Sequence, residues 1–558
     1  MGPYAVEPKQ LIRFTLPQGI TLEADVYYPQ GQGPFPVLLM RQPYGRAIAS
    51  TVVYAHPRWY ASHGYIVVIQ DVRGRGSSGG DFKLFEHEAE DGYATVLWAA
   101  QLPHSTGAVG MYGFSYQGMT QLYAASQRPE PLRAIAPAMV GYDLYADWAY
   151  ENGALLLQLG LGWALQLAAE TARRQGNSDT YQCLYQAAHQ LPLDDPIPAS
   201  PQILQDLAPD SFFHDWLHHP QEHPYWQNLK PAMDQVDLPM LHIGGWFDPY
   251  LRGDLRLYRQ MVHQSRQPQH FWVGPWGHLP WGRQGGVRDF GPEADSPIDQ
   301  LQLRWFDYFL KGQTAELGSP TAVHLFEMGS NRWRSLSHWP QAESHCLYLS
   351  STGLAALDQR DGQLLPAAHS LQGEDTLVHD PWRPVPSLGG HSGVPSGVFN
   401  RAAIDARTDV LTYTTGVLTS SLAMAGAVTL VLYCQSDRPS FDISAVVSEV
   451  DAEGRVLNLT QGYGRVQRTH GEGSSPQQLH LELQPSCFVI AAGRSLRLSL
   501  AAASFPAYPV NSGLDPVLQY RGKIDDQVTT LTVVHGPAYL SCLKLGQAEV
   551  TQLDPGHG

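Results

Sequence analysis

The sequence predicts an α/β protein: a parallel-sheet core, a helical segment inserted into it, and an all-β domain behind it. Three observations carry that prediction. Short apolar runs of strand length alternate with helical periodicity over residues 1–139 and again over 237–318, as in sheets built from strand–helix units. Residues 140–236 are helical in pattern and rich in Trp, Leu and His, which suits an inserted cap. Over 319–558 the helical period disappears, and strands separated by Gly-, Pro- and Asp-rich turns follow one another, most simply as a jelly-roll sandwich.

Taken in order, Leu11 to Tyr28 alternates apolar and polar residues as paired strands do. Pro36–Met40 and Tyr65–Asp71 are continuous apolar runs, expected of buried parallel strands, with Gln42-Pro43-Tyr44-Gly45 as a loop between them. His87–Ala100 reads as a helix, with Ala94, Leu97 and Trp98 on one face. Leu132–Pro137 is a further strand. Ala154–Ala169 is apolar on nearly every face and reads as a buried helix of the cap. Pro239–Gly245 and Gln269–Gly274 restore the strand pattern, and Leu301–Lys311 is a closing helix stopped by Gly312. Val323–Phe326, Val428–Tyr433, Ser495–Leu500 and Thr529–Val534 are assigned to the β domain.

Composition narrows the function. A chain of 558 residues exceeds a single core, and its 14 Trp and 27 Tyr supply material for an aromatic pocket. A net charge of -16 without any basic run argues against nucleic acid as partner. No stretch is apolar for long enough to span a bilayer, and no signal region precedes Phe14, so a cytoplasmic location without a membrane partner is expected. The five cysteines (183, 346, 434, 487 and 542) are odd in number and widely spaced, as reduced and mostly buried thiols would be.

The chemistry centres on Gly113-Phe114-Ser115-Tyr116-Gln117-Gly118. An apolar run precedes it and a helix-compatible stretch follows, so Ser115 sits at the apex of a strand–turn–helix elbow with its hydroxyl exposed. The usual elbow is G-x-S-x-G, whereas here the second glycine comes one place later. A nucleophilic serine needs a base and an acid to orient that base, and in α/β hydrolases they follow in the order Ser, acid, His. Asp248 follows the strand ending at Gly245, and His278 follows the strand ending at Gly274, each in a Gly-bearing loop able to aim it across the sheet top. Alone, each is better read as a turn or surface residue; in this order and topology they form a triad. The oxyanion donors would be the Tyr116 amide, next to the nucleophile, and the Tyr44 phenol on the loop after the earlier strand. This chemistry requires no metal and no organic cofactor.

Arg41-Gln42-Pro43-Tyr44, Gln70–Gly76, Gly113–Gly118, Gly244–Asp248, Gly274–His278 and Trp305–Gly312 together resemble the cocaine esterase-like (CocE/NonD) acyl hydrolases and their X-Pro dipeptidyl-peptidase and α-amino-acid ester hydrolase relatives. Asp380-Pro381 through Gly389-Gly390 and Phe505-Pro506 through Asn511-Ser512-Gly513 extend the likeness into the β domain. In that family Ser-Tyr-x-Gly is the usual elbow. The resemblance implies an α/β-hydrolase core with a helical cap and a C-terminal jelly roll, and a tyrosine hydroxyl in the oxyanion hole, matching Tyr44. By position, Tyr250 and the cap residues Trp148 and Trp163 are similar to aromatics that surround the acyl group. Ordinary core aromatics are an equal reading of those three.

The expected function is therefore a serine esterase acting through an acyl-enzyme on a small-molecule substrate, with a bulky or aromatic acyl group. Two rivals stay open: an amide-cleaving relative (X-Pro dipeptidyl-peptidase or β-lactam acylase type), and a non-catalytic carbohydrate-binding protein. The assembly is left open, a homodimer among the possibilities. Two motifs are set aside. Gly74–Gly79 fits G-x-G-x-x-G, but Gly80–Lys83 separates it from the next helix, unlike a dinucleotide loop. His214 and His218 have a zinc-compatible spacing with no Glu in the metalloprotease position.

Overall fold

The apolar runs become buried strands of one ten-stranded sheet in the computed structural model, which describes residues 2–193, 201–313, 321–340, 344–467, 475–514 and 525–546. Its first six strands are β1 (Gln10–Thr15), β2 (Thr21–Tyr27), β3 (Phe35–Gln42), β4 (Ile66–Asp71), β5 (Ser105–Phe114) and β6 (Leu132–Ala138). The spatial order is β1-β2-β4-β3-β5-β6, then Met240–Phe247, Gln269–Gly277, Thr321–Glu327 and Arg332–Leu336. From β4 to Thr321–Glu327 neighbouring strands run parallel, and antiparallel pairs form both edges. Helices on both faces bury the strands, which is why β3, β4 and Met240–Phe247 have no exposed residue and read as unbroken apolar runs.

Thr321–Glu327 corrects one expectation. It contains Val323–Phe326, assigned from sequence to the β domain, yet it pairs in parallel with Gln269–Gly277 through Phe271↔Val323 and Val273↔Leu325. The helix Ile298–Lys311, closed by Gly312 in the left-handed region (φ 65°), carries the chain back to that edge as a strand–helix–strand crossover. A short apolar strand carries no mark of the sheet it will join. The boundary expected at 318/319 lies outside the described residues.

Between Val140 and Val236 lie the helices Leu157–Arg174, Ser178–His189, Gln202–Leu207, Phe212–His218 and Pro224–Leu229, and a turn of π-helix at Leu144–Ala149. The helix expected from Ala154 starts later, because Ala154–Leu155 pairs with Tyr150–Glu151. Asn152 (φ 44°) and Gly153 (φ 81°) make the two-residue turn that twists such a hairpin correctly. Two arginines clasp the long cap helix to the loop after β4. Arg75 donates to the Leu167 carbonyl (3.0 Å) and Thr171 hydroxyl (3.2 Å), while Arg174 donates to the carbonyls of Ser78 (2.8 Å) and Gly76.

Among the described residues, eleven strands between Ser344 and Gly546 form the C-terminal β domain, mostly antiparallel, its longest pairing Leu422–Ser436 with Gln477–Ile490. One hydrophobic cluster runs through both parts: Trp246, Phe271, Val323 and Phe326 of the first sheet and Leu251 of the helix Leu251–Gln264, with Leu347, Leu430, Ile443, Phe488 and Leu543 of the β domain. Cys434, Cys487 and Cys542 are buried, Cys346 is half-buried and Cys183 exposed.

Candidate active site

Ser115 joins β5 to the helix Tyr116–Ser126 at φ 58°, ψ −128°, a conformation that L residues avoid and that tight functional turns impose. The shifted glycine has a steric reason. A Cβ at Gly118 would lie 2.4 Å from Val140 Cγ1 and 2.9 Å from the Ala138 carbonyl, whereas Gln117 points into the core and accepts from the Phe114 amide (3.4 Å). Position 118, not 117, is therefore where this helix presses on the end of β6. The Ser115 amide is held by the Ala138 carbonyl at 2.9 Å.

Asp248 and His278 end the next two strands of the sheet, and their side chains meet. Asp248, fully buried, lies with Oδ1 2.7 Å from His278 Nδ1, and its Oδ2 accepts from the Tyr250 amide at 3.2 Å. With Nδ1–H donated to the carboxylate, Nε2 of a neutral imidazole is left as the basic nitrogen. The ring packs against Phe114, the neighbour of Ser115, at 5.5 Å, and edge-on against Tyr250 at 5.1 Å. The β domain reaches this loop too: Gln484 Nε2 donates to the Asp248 carbonyl at 2.5 Å, a contact no local sequence signal announces.

The Tyr44 hydroxyl faces Ser115; burial pushes its pKa up to about 12, against the opposing pull of side-chain interactions with Trp163 and Ser115. The shared motifs explain how it is held. Gln42 accepts from the Tyr44 amide (2.9 Å) and donates to Asp71 (3.1 Å). The glycine-rich loop set aside above wraps that carboxylate: a Cβ at Gly76 would lie 2.0 Å from Asp71 Oδ2. Tyr116 opens its helix, so its N–H has no intrahelical acceptor. Its phenol is turned away, donating to Glu88 at 2.8 Å, and Glu88 in turn pairs with Arg41 at 2.6 Å.

The three aromatics form one connected group. Trp148 lies 4.5 Å from Tyr250 and 5.4 Å from Trp163, and Tyr250 reaches His278. Trp163 does more than line a wall, since its indole N–H donates to Tyr44 Oη at 3.1 Å. Sequence reading missed that bond, which depends on where the cap helix comes to rest. A cavity of about 910 Å³ lies between the loop after β4 and the cap, bordered by Arg75, Phe82, Leu167 and Phe212. None of Ser115, Asp248 or His278 lines it.

A second Ser–His–Asp grouping occurs in the β domain. Ser351 Oγ lies 2.6 Å from Asp375 Oδ2 and 3.0 Å from His535 Nε2, which is itself 3.2 Å from Asp375 Oδ2. Both contacts use one imidazole nitrogen, so this ring cannot take a serine proton while held through its other nitrogen, as a relay requires. His214 is committed to the Ala208 carbonyl (3.2 Å), and among the described residues no three His, Cys, Asp or Glu side chains are grouped to hold a metal ion. Nor is any described helix long and apolar enough to cross a membrane.

Comparison with known proteins agrees along the whole chain. Residues 18–280 match the family model of the X-Pro dipeptidyl-peptidases (S15 family), and 316–544 match the X-Pro dipeptidyl-peptidase C-terminal non-catalytic domain. A cocaine esterase from Rhodococcus sp. is 30% identical over 98% of this chain and 99% of its own. The chain belongs to the cocaine esterase-like family of serine hydrolases. It is an enzyme that acts on ester or amide bonds. A putative serine esterase of Mycobacterium bovis is 25% identical over 93% of this chain and 94% of its own. Two solved structures share the fold at 21% identity: an aminopeptidase from a marine sediment archaeon (TM-score 0.80, 98% of this chain and 96% of that one) and an α-amino acid ester hydrolase (TM-score 0.77, 98% and 97%).

Proposed function

We propose that the protein is a carboxylesterase for esters with bulky or aromatic acyl groups, working through an acyl-enzyme on Ser115. The observation that supports it most is the 2.7 Å bond from His278 Nδ1 to buried Asp248, with the His278 ring packed on Phe114, next to the elbow serine. Ser115 Oγ adds to the ester carbonyl as His278 Nε2 takes its proton, and the paired Asp248 carboxylate stabilises the imidazolium. The carbonyl oxygen, now negative, receives the Tyr44 hydroxyl and the Tyr116 amide. Collapse breaks the ester C–O bond, and the alcohol leaves with the proton from His278. Water, deprotonated by the same nitrogen, then adds to the acyl carbon and releases the acid and Ser115. Trp148, Trp163 and Tyr250, grouped beside His278, supply the aromatic face for the acyl group.

Covalent labelling with a fluorophosphonate, followed by peptide mapping, tests this directly. The label should map to Ser115 and vanish in Ser115→Ala. Kinetics on an ester and an amide sharing one benzoyl group should favour the ester. A folded protein that takes no label would sink the proposal, and faster amide cleavage would move it to the peptidase side of the family.

A further inference from the structure

The phenol of Tyr44 has one proton, and its oxygen can accept one hydrogen bond while it donates another. Trp163 Nε1 lies 3.1 Å from that oxygen, on the side chain that faces the elbow serine. An indole N–H can only donate, so towards Trp163 the phenol oxygen must be the acceptor. Its own O–H is then left for an oxyanion formed at Ser115. We infer that Trp163 is a positioning residue of the oxyanion hole, one that fixes the direction of the Tyr44 donor and strengthens it. This rests on the reading of Ser115 as nucleophile and Tyr44 as oxyanion donor, and it gives Trp163 a role that lining an acyl pocket would not require.

Strengthening follows from cooperativity. An oxygen that accepts one hydrogen bond is depleted of charge and becomes a better donor in the next. Tyr44 and Trp163 are both partly buried, so the chain Trp163 N–H, Tyr44 O–H, oxyanion meets less competing water than a surface bond would. Trp163 is itself held by ring contacts, to Phe212 at 4.9 Å, Trp148 at 5.4 Å and Trp216 at 6.2 Å. All of these partners belong to the cap. The cap helix Leu157–Arg174 is in turn fixed to the core by Arg75 and Arg174. The direction of a core donor is thus set from the cap, and the hole is complete only while that helix is seated.

The test is a double-mutant cycle read on an acetate ester, whose acyl group is too small to reach the aromatic wall. Trp163→Phe removes the N–H and keeps a ring; kcat should fall about tenfold with KM nearly unchanged. In a Tyr44→Phe background the same change should have almost no further effect, because the hydroxyl it positions is gone. Site-specific replacement of Trp163 by 3-benzothienylalanine, which has a sulfur in place of the N–H, should reproduce the loss without disturbing packing and serves where the phenylalanine variant folds poorly. Equal losses in both backgrounds, an effect confined to KM, or full kcat in the benzothienyl protein would overturn the inference. Should Tyr44→Phe alone leave kcat untouched, the oxyanion role of Tyr44 fails first, and the inference with it.

Discussion

Burial decides how Tyr44 behaves with pH. Its phenol must carry a proton to serve as donor, so activity that depends on it is lost as pH rises through its folded pKa, which burial has pushed up to about 12. The rate should therefore stay level on the alkaline side to about pH 10.5. A kcat/KM profile would reveal an alkaline fall near the ordinary tyrosine range, about 10, if the phenol were solvated instead. Candidates for the site were readable where each ended an apolar strand: Ser115, Asp248 and His278 lie at strand ends of a parallel sheet, where side chains from distant sequence positions converge. Trp163 and Gln484 carry no such mark. Their bonds to Tyr44 and to the Asp248 carbonyl depend on how a cap helix and a β-domain strand come to rest, which nearby residues do not encode.

Among the elements, the elbow helix is the most tightly constrained. Gly118→Ala would drive a methyl group into Val140 and the Ala138 carbonyl, and backbone cannot yield as a side chain can. The expected loss is about 1–3 kcal/mol in urea unfolding, with a lower kcat as the helix and the Tyr116 amide shift away from β6. Unchanged stability would mean that the contact relaxes freely. Most strands and helices of the core were legible because burial on both faces leaves only apolar residues to build them. Two elements were not. The Asn152-Gly153 turn stood just ahead of the apolar run read as a helix from Ala154, whose first two residues belong to the hairpin, and Val323–Phe326 suited either sheet until the crossover helix placed it.

Across the whole molecule, Glu151 ties three parts together. Its Oε2 lies 2.8 Å from His391 Nε2 and accepts from the Tyr508 phenol at 2.6 Å; Arg252 Nη1 stands 3.0 Å away, and the Tyr463 amide donates to Oε1 at 3.2 Å. Burial alone would raise its pKa, but Arg252 and His391 outweigh burial and hold it well below the usual carboxylate range. A depressed carboxylate stabilises the fold above its unfolded pKa, about 4.3, and that contribution fades as the solution is made more acid. Glu151→Gln should lower stability by about 3–5 kcal/mol at neutral pH, because Arg252 keeps its charge without a partner. In thermal unfolding the gap from the parent should narrow towards about pH 3; a gap independent of pH would show that the charge is not what matters. The motifs Asp380–Gly390 and Phe505–Gly513 were visible in sequence as likeness only; His391, next to the first, and Tyr508, within the second, reveal a physical reason.

The strand Thr321–Glu327 bears on how this chain is made. On the ribosome the core cannot finish when its closing helix emerges, for Gln269–Gly277 still presents a bare edge of amides and carbonyls to any passing strand. Only after Thr321–Glu327 has cleared the tunnel can that edge be paired. Synthesis of the hydrolase half is thus committed to its C-terminal neighbour before it can shut, and a gene cut at the apparent domain border would yield a sticky intermediate in place of a minimal enzyme.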